Sequence, residues 1–511
     1  MSYVLEALLL HAQQQPEATA LVTVEGELSY AQLADEVQDF ARLLKGTHCH
    51  TLGIDLDNGK HWVLSDLAAM QLGLTAVPIP GFFAPAQVTH LLDTAQVDLI
   101  VRDRNESPGE GWQVIPCQQG DLYLYHRPAK RRSHAAKITF TSGSTGQPRG
   151  VELSQQAIDD TARGIVSALE PLSLRRHLSV LPLATLLENI AGLYAPLVNG
   201  SEAQIPSLKA VGLTGASLDI DTFVKLLGSA DADSMILVPQ LLTAVVTLTE
   251  FGLLDLQHYK MLAVGGGRVS KALLDKAEQV SLPVFEGYGL SECGSVLTLN
   301  LPKANRPGSV GRPLPHAEVR ISLSGEVEIR GTVMNGYLSE STGESTGEST
   351  EKSIGNMPDW YPTGDLGHID SDGFLYITGR KKNVFITSYG RNVNPEWVEA
   401  ALSQKPAVAQ AVAYGEARDH NLALLWLRFE QSEAQLAELV DEVNLELPDY
   451  AQVHDYIVIS EPLPQALLTA NGRVKRDQVI ERYLELIEDH YEPNNKPNYS
   501  SSPRRLTNVV L

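Results

Sequence analysis

A run of six small residues, Thr141-Ser142-Gly143-Ser144-Thr145-Gly146, follows the apolar, β-prone stretch Ile138-Thr139-Phe140 and leads to a cation at Arg149. Residues this small let backbone N–H groups close on an anion. Their hydroxyls add donors, and the guanidinium offsets the charge. The pattern lacks the Gly-Lys-Ser/Thr ending of a Walker A loop, so it predicts a phosphate-binding turn after a strand without naming the nucleotide. A second segment, Phe285-Glu286-Gly287-Tyr288-Gly289-Leu290-Ser291-Glu292, sets two glycines about an aromatic ring and then offers a hydroxyl and a carboxylate. Such a set can seat an adenine, touch a phosphate and hold Mg²⁺ through one hard oxygen. Taken alone, it is equally a Gly-rich turn with a solvated Glu292. Ala263-Val264-Gly265-Gly266-Gly267 is a third Gly-rich turn behind an apolar strand. In Trp360-Tyr361-Pro362-Thr363-Gly364-Asp365-Leu366-Gly367, the Asp365 carboxylate can accept both hydroxyls of a ribose. Arg380, following Gly379, can donate to the same sugar. Asp365 is otherwise a turn residue behind Gly364.

These segments need elements to hold them. Leu33, Val37, Phe40 and Leu44 recur at helical spacing behind Ser29, a candidate cap. A second helix is predicted over 61–72, ended by Gly73, and short strands over 76–79 and 98–101. This β/α rhythm predicts layered sheets covered by helices. From about Pro313 the pattern changes to period-two alternation over 318–321 and 325–331, as in half-exposed strands. A repeat of Ser-Thr-Gly-Glu units over 341–351 has nothing apolar to bury and is expected to be a surface loop. Beyond Arg380 lie about a hundred residues with their own pattern: helices over 395–402 and 432–443, strands over 422–429 and 455–459. The organisation predicted is a large domain over 1–380, a small one over 381–490, and a disordered Asn/Pro/Ser-rich tail over 491–511.

Bulk properties restrict the function. At 511 residues the chain exceeds a single core, and a formal net charge of −22 argues against a general nucleic-acid binder. The three cysteines, Cys49, Cys117 and Cys293, have no metal-ligand spacing. Without a leader pattern or an apolar run long enough to span a bilayer, a cytoplasmic location is expected.

In order and spacing, residues 141–150, 265–267, 288–292, 361–365, Gly379-Arg380 and 471–476 resemble the successive core motifs of the adenylate-forming (AMP-binding) enzymes, over nearly the whole chain. That resemblance implies a multidomain α/β and α+β fold. Its large domain has layered β-sheets flanked by helices and a small β-barrel-like subdomain, and its small α+β C-terminal domain is mobile. It implies that Thr141, Ser142, Gly143, Ser144, Thr145 and Gly146, with Arg149, surround the phosphates of ATP. Gly265, Gly266, Gly267, Gly287, Tyr288 and Gly289 line the adenine. Ser291 meets the α-phosphate, Glu292 holds Mg²⁺, and Asp365 and Arg380 take the ribose. Lys382 matches the hinge about which the small domain turns, and Gly390 the lining of the thiol's tunnel. Two half-reactions follow: a carboxylate and ATP give an acyl-adenylate and pyrophosphate, then a thiol takes the acyl group and AMP leaves.

Three positions depart from the family pattern. Arg149 replaces a Lys and keeps its charge, and Thr185 stands where a His or aromatic is usual. Arg473 replaces the lysine that reaches the carboxylate and α-phosphate, a bulkier and planar cation able to bridge both. The segments around Leu183-Ala184 and Gly390-Arg391-Asn392-Val393 resemble the fatty acyl-CoA synthetases most. The predicted reaction is therefore activation of a medium- or long-chain fatty acid and its transfer to CoA. Two alternatives stand beside it: an enzyme that loads the phosphopantetheine arm of an acyl carrier protein, and a catalytically impaired nucleotide-binding homologue.

Overall fold

Ser29 caps the helix Tyr30–Lys45 in a full capping box, accepting from the Gln32 N–H while the Gln32 side chain accepts from the Ser29 N–H. The face predicted from spacing, Leu33, Val37, Phe40 and Leu44, is buried. The helix Lys60–Leu72 stops at Gly73, whose φ of 65° a side chain would resist. The computed structural model describes residues 2–115, 117, 121–142, 148–215, 217–338, 359–389, 391–468, 474–491 and 505–506.

Two large sheets form the layers. One sets the parallel strands Val284–Tyr288, Met261–Val264, Ser234–Leu237, Arg176–Leu178, Glu202–Ile205 and Thr19–Thr23 side by side, with short antiparallel strands at its edges. The other centres on the parallel strands Lys137–Ser142, Thr75–Pro78, Thr51–Asp55 and Leu99–Arg102. One core joins them: Leu21 and Ile205 from the first sheet and Ile54 and Val101 from the second cluster with Tyr30, Phe40 and Trp62. Burial on both faces accounts for continuous apolar strands such as Ser234–Leu237.

The period-two segments form a four-stranded antiparallel sheet of Ala317–Ile321, Glu326–Gly331, Tyr361–Ile369 and Leu375–Arg380 over a small core of Val327, Ile329 and Leu375. Beyond it, the helices Pro395–Ser403 and Glu433–Asn444 pack on the strands Val408–Tyr414, Asn421–Leu427 and Val453–Val458 around Val398, Leu402, Leu425 and Tyr456.

Two sequence expectations change. Thr141 and Ser142, read as part of the loop, are the last residues of the strand Lys137–Ser142, paired with Arg149 and Pro148 across a hairpin. Pairing with the return strand Pro148–Leu153 carries the ladder past the hydroxyl residues. In the segment read as a disordered tail, Arg505–Leu506 pair in parallel with Tyr456 and Ile457, because the strand Val453–Val458 offers an open edge to any passing backbone. Tyr491, the first residue of that segment, ends the helix Leu484–Tyr491, whereas residues 492–504 and 507–511, the 341–351 repeat and residues 143–147 lie outside the described residues. No described helix is long and apolar enough to cross a membrane.

Candidate active site

The large sheets border a cavity of roughly 3450 Å³ that residues of the C-terminal part also line. Thr139, Phe140 and Thr141 line one part of it, on the hairpin of Lys137–Ser142 and Pro148–Leu153, whose strands pair in register out to Ser142 and Pro148. At the foot of the first strand, fully buried Lys137 donates from Nζ to Asp66 Oδ1 and to the Tyr194 hydroxyl, both at 2.8 Å, and to Asn189. Asn189 and Tyr194 come from a π-helical turn, Glu188–Tyr194, and Tyr194 donates in turn to Asp66 Oδ2. Burial pushes the Lys137 amine below its usual pKa, and the Asp66 carboxylate opposes that shift. A charge this deep is stable only with its partner in place, so the network locks the strand that leads into the loop. Sequence reasoning missed it: Lys137 and Asp66 stand 71 residues apart, and neither lies in a motif.

At the mouth of the hairpin, the Arg149 guanidinium lies 3.9 Å from the centre of the Tyr337 ring. Tyr337 donates its hydroxyl to Glu292 Oε1 at 2.8 Å. The strand Gly336–Tyr337 reaches this place by pairing with the return strand of the hairpin, Tyr337 opposite Val151. Burial first, and the nearby Glu292 second, raise the Tyr337 pKa and keep it a donor. Ser291 opens the short 3₁₀ turn Ser291–Cys293 that presents Glu292, and the backbone N–H of Met334 closes on the Glu292 carbonyl. Tyr337 carried no signal in the sequence.

The proposed ribose group is a close cluster on the cavity wall. Asp365 and Arg380 are register partners on adjacent antiparallel strands, and Arg380 Nε sits 2.6 Å from Asp365 Oδ1. The Tyr288 hydroxyl donates to the other oxygen, Oδ2, at 2.6 Å. Burial raises the Asp365 pKa, and Arg380 opposes that shift. The Gly-rich turns meet behind this cluster: a Cβ on Gly265 would come within 3.5 Å of the Gly287 carbonyl, and Gly266 has a φ of +73°. Gly289 is required for another reason. A Cβ there would lie 1.8 Å from the Ser295 carbonyl oxygen, so this glycine serves the packing of its own loop. Gly265, Gly266, Gly267, Gly287, Tyr288 and Gly289 all line the cavity.

Two ionisable groups escaped the sequence reading. Glu286 accepts from the Gly308 N–H at 2.7 Å, and burial pushes its carboxyl up to about 7. Arg268, its pKa lowered by burial, lies 5.9 Å from the Trp397 ring centre and reaches the Thr378 carbonyl, so it bridges toward the C-terminal part. Lys381 is pinned to Glu326 at 2.8 Å, whereas its neighbour Lys382 is exposed and lines the cavity. Thr185 lines the cavity too, but its hydroxyl donates to the Pro182 carbonyl at 2.7 Å and so closes a turn. Arg473, Gly390, Gly143, Ser144, Thr145 and Gly146, together with the Ser142 side chain, lie outside the described residues. The arms of the Arg473 segment meet at a bridge between Leu468 and Val474, and both of these residues line the cavity. Lys475 is engaged elsewhere, donating to the Ala466 carbonyl at 2.9 Å. Arg476 pairs with half-buried Glu399 and is part of the small domain's frame.

The profile of the AMP-binding enzyme family matches residues 9–338. The chain belongs to this family. The profile of the AMP-binding enzyme C-terminal domain matches residues 382–495 of the same chain. Among curated relatives of this AMP-binding enzyme, the indoleacetate–CoA ligase of Aromatoleum aromaticum is 26% identical, the match covering 92% of this chain and 96% of the relative. A long-chain-fatty-acid–CoA ligase of Mycobacterium bovis is 27% identical over 71% of this chain and 70% of its own. The crystal structure of an anthranilate CoA ligase in complex with anthranoyl-AMP superposes with a TM-score of 0.76 at 19% identity, covering 94% of this chain and 97% of that one. The adenylate-forming fold expected from the motifs is therefore present.

Proposed function

We propose that this AMP-binding enzyme activates an apolar carboxylic acid with Mg·ATP and transfers the acyl group to the thiol of CoA. The observation that carries the reading is the convergence of Asp365, Tyr288 and Arg380 with Glu292 and Tyr337 on one cavity, with Arg149 stacked on the Tyr337 ring. That cavity continues between apolar side chains, including Leu186, Leu187, Val238 and Ala263. A carboxylate oxygen of the acid attacks the α-phosphorus, the bond to pyrophosphate breaks, and an acyl-adenylate forms. The chain's task is alignment and charge neutralisation, since phosphoryl-type transfer needs little covalent help.

Asp365 orients the nucleotide through its ribose, and the hairpin loop with Arg149 neutralises the phosphates. Glu292 is the hard oxygen that would hold Mg²⁺, which supplies further neutralisation when bound. Tyr337 fits that role by fixing one oxygen of Glu292 through a neutral donor. Arg473, two residues from Lys475, supplies the cation between carboxylate and α-phosphate. Once the small domain has turned about Lys382, the CoA thiolate attacks the acyl carbon beside Gly390, and the C–O bond to AMP breaks.

The relatives include ligases named for an aryl acid and for long-chain fatty acids, so the acid class is the finer part of the proposal. We favour acids with an apolar tail, because apolar side chains such as Leu186, Leu187, Val238 and Ala263 line part of the cavity. Incubation with ATP, Mg²⁺ and CoA across aryl and C6–C18 fatty acids, read as pyrophosphate and thioester, tests the reading. Acid-dependent release of both products is expected. Absence of pyrophosphate release with every acid would refute it, and thioester formed only on a holo carrier protein would replace CoA as the acceptor.

A further inference from the structure

Away from the cavity, the described residues bring His420, Asp455 and His490 together, and none of the three lines the nucleotide site. They come from separate elements: the turn before the strand Asn421–Leu427, the strand Val453–Val458, and the helix Leu484–Tyr491. Nε2 of His420 and Nε2 of His490 each lie 3.3 Å from the same oxygen, Asp455 Oδ2. All three ligand atoms fall within 4.8 Å of one another. A tetrahedral metal with bonds of about 2.0–2.1 Å has edges of about 3.3 Å, so two of the three edges already have the right length.

The chemistry of the donors points the same way. The side chains of His420, Asp455 and His490 are only 12%, 6% and 8% exposed. Even so, Asp455 Oδ1 is buried without a hydrogen-bond partner, while His420 Nε2 is turned toward Asp455 Oδ2. Buried polar atoms left unpaired are costly, and such atoms call for an occupant. On the other side of its ring, His420 Nδ1 sits 2.7 Å from Asp419 Oδ1. A carboxylate there can hold the proton on Nδ1, so that Nε2, which faces Asp455 Oδ2, is free to ligate once it gives up its own proton. Carboxylate–histidine–metal sites are arranged in this way. A proton can bridge His420 Nε2 and Asp455 Oδ2, and a dication held by both atoms would take that proton's place. The two carboxylates, Asp419 and Asp455, also balance its charge.

We propose that His420, Asp455 and His490 form a structural Zn²⁺ site, its fourth position taken by water or the second oxygen of Asp455. Two imidazoles with one carboxylate suit zinc and its transition-metal neighbours better than Mg²⁺ or Ca²⁺. The metal fastens the helix Leu484–Tyr491 to the sheet of the small domain. Three contacts already dock that helix: buried Ile487, the Arg418–Glu488 ion pair, and the Tyr491 hydroxyl donating to the His420 carbonyl at 2.9 Å.

The test uses the full chain, freed of metal by a chelator and titrated with Co²⁺ and then Zn²⁺. One equivalent of Co²⁺ with the intense visible absorption of a tetrahedral site, displaced by Zn²⁺, is expected, together with a rise in melting temperature. Asp455→Asn and His490→Ala should each weaken Zn²⁺ binding by more than about 100-fold, and Asp419→Asn by about 10–100-fold as the loss of a ligand's hydrogen-bond partner does. His454→Ala, one residue from Asp455 and outside the group, should leave it unchanged. His490→Gln is measured beside His490→Ala and decides the matter if the alanine variant loses helix by circular dichroism. Failure to bind one equivalent of Co²⁺ or Zn²⁺, or binding that survives both Asp455→Asn and His490→Gln unweakened, overturns the proposal.

Discussion

Asp365 is the residue whose replacement tests the nucleotide assignment most directly. Its two oxygens each carry one bond in the structure, Oδ1 with Arg380 and Oδ2 with Tyr288. A carboxylate has about four acceptor positions, so roughly two remain for the hydroxyls of a ribose. Hydrogen bonds to a charged group contribute about 1.5–3 kcal/mol each. Two of them are therefore worth about 3–6 kcal/mol, or roughly 10²- to 10⁴-fold in affinity. Asp365→Ala should raise the KM for ATP by that factor in acid-dependent pyrophosphate release. The KM for the acid should change little, since no apolar wall is touched. Asp365→Asn keeps one acceptor and should fall between the wild type and the alanine variant. Melting temperature serves as the control, because the alanine variant also leaves the Tyr288 hydroxyl without its acceptor. If the folded variant binds ATP within about tenfold of wild type, the ribose assignment is wrong, because even one lost bond of this kind is worth about that much.

Three further outcomes are expected. Burial holds the Glu286 carboxyl at about 7 against an ordinary 4.5, so the native state keeps its proton longer than the unfolded chain. The stability this lends is complete below pH 4.5 and is lost as pH rises through 7; Glu286→Gln should remove about 3 kcal/mol of that pH dependence in denaturant unfolding at pH 5 and 8, and an unchanged slope would refute it. Lys137→Met strands the buried Asp66 carboxylate and should destabilise by about 3–5 kcal/mol, whereas Lys137→Met with Asp66→Leu should recover most of the loss; equal melting of the single and double variants would show that the charges are not coupled. Arg473→Ala should slow acid-dependent pyrophosphate release by more than about tenfold, with thioester formation from a supplied acyl-adenylate less affected, and Arg473→Lys should restore the first step; equal loss in both half-reactions would remove Arg473 from adenylation.

The parts of the site that were legible share one property: their chemistry is local in the chain. The Gly-rich turns at Gly265 and Gly287, and Gly364-Asp365, each place small residues and a functional group within a few positions, and all of these but Gly364 line the cavity. The helix Tyr30–Lys45 was legible for a related reason, since its cap and apolar stripe are written at fixed spacing. The strand ends were less so. Thr141 and Ser142 read as loop by composition, and only the hairpin partner at Arg149 and Pro148 made them strand.

By itself, the sequence determined the family, the order of its motifs and the chemical types available at the proposed nucleotide site, since these depend on residues that act on neighbours along the chain. Tertiary structure alone decided which distant groups meet. It set Tyr337 between Arg149 and Glu292, seated Lys137 on Asp66 beneath the phosphate hairpin, put Tyr288 on the free oxygen of Asp365, and gathered His420, Asp455 and His490 at one point. Burial and charge proximity act through space, and no spacing rule records a partner that only the folded sheets bring into contact.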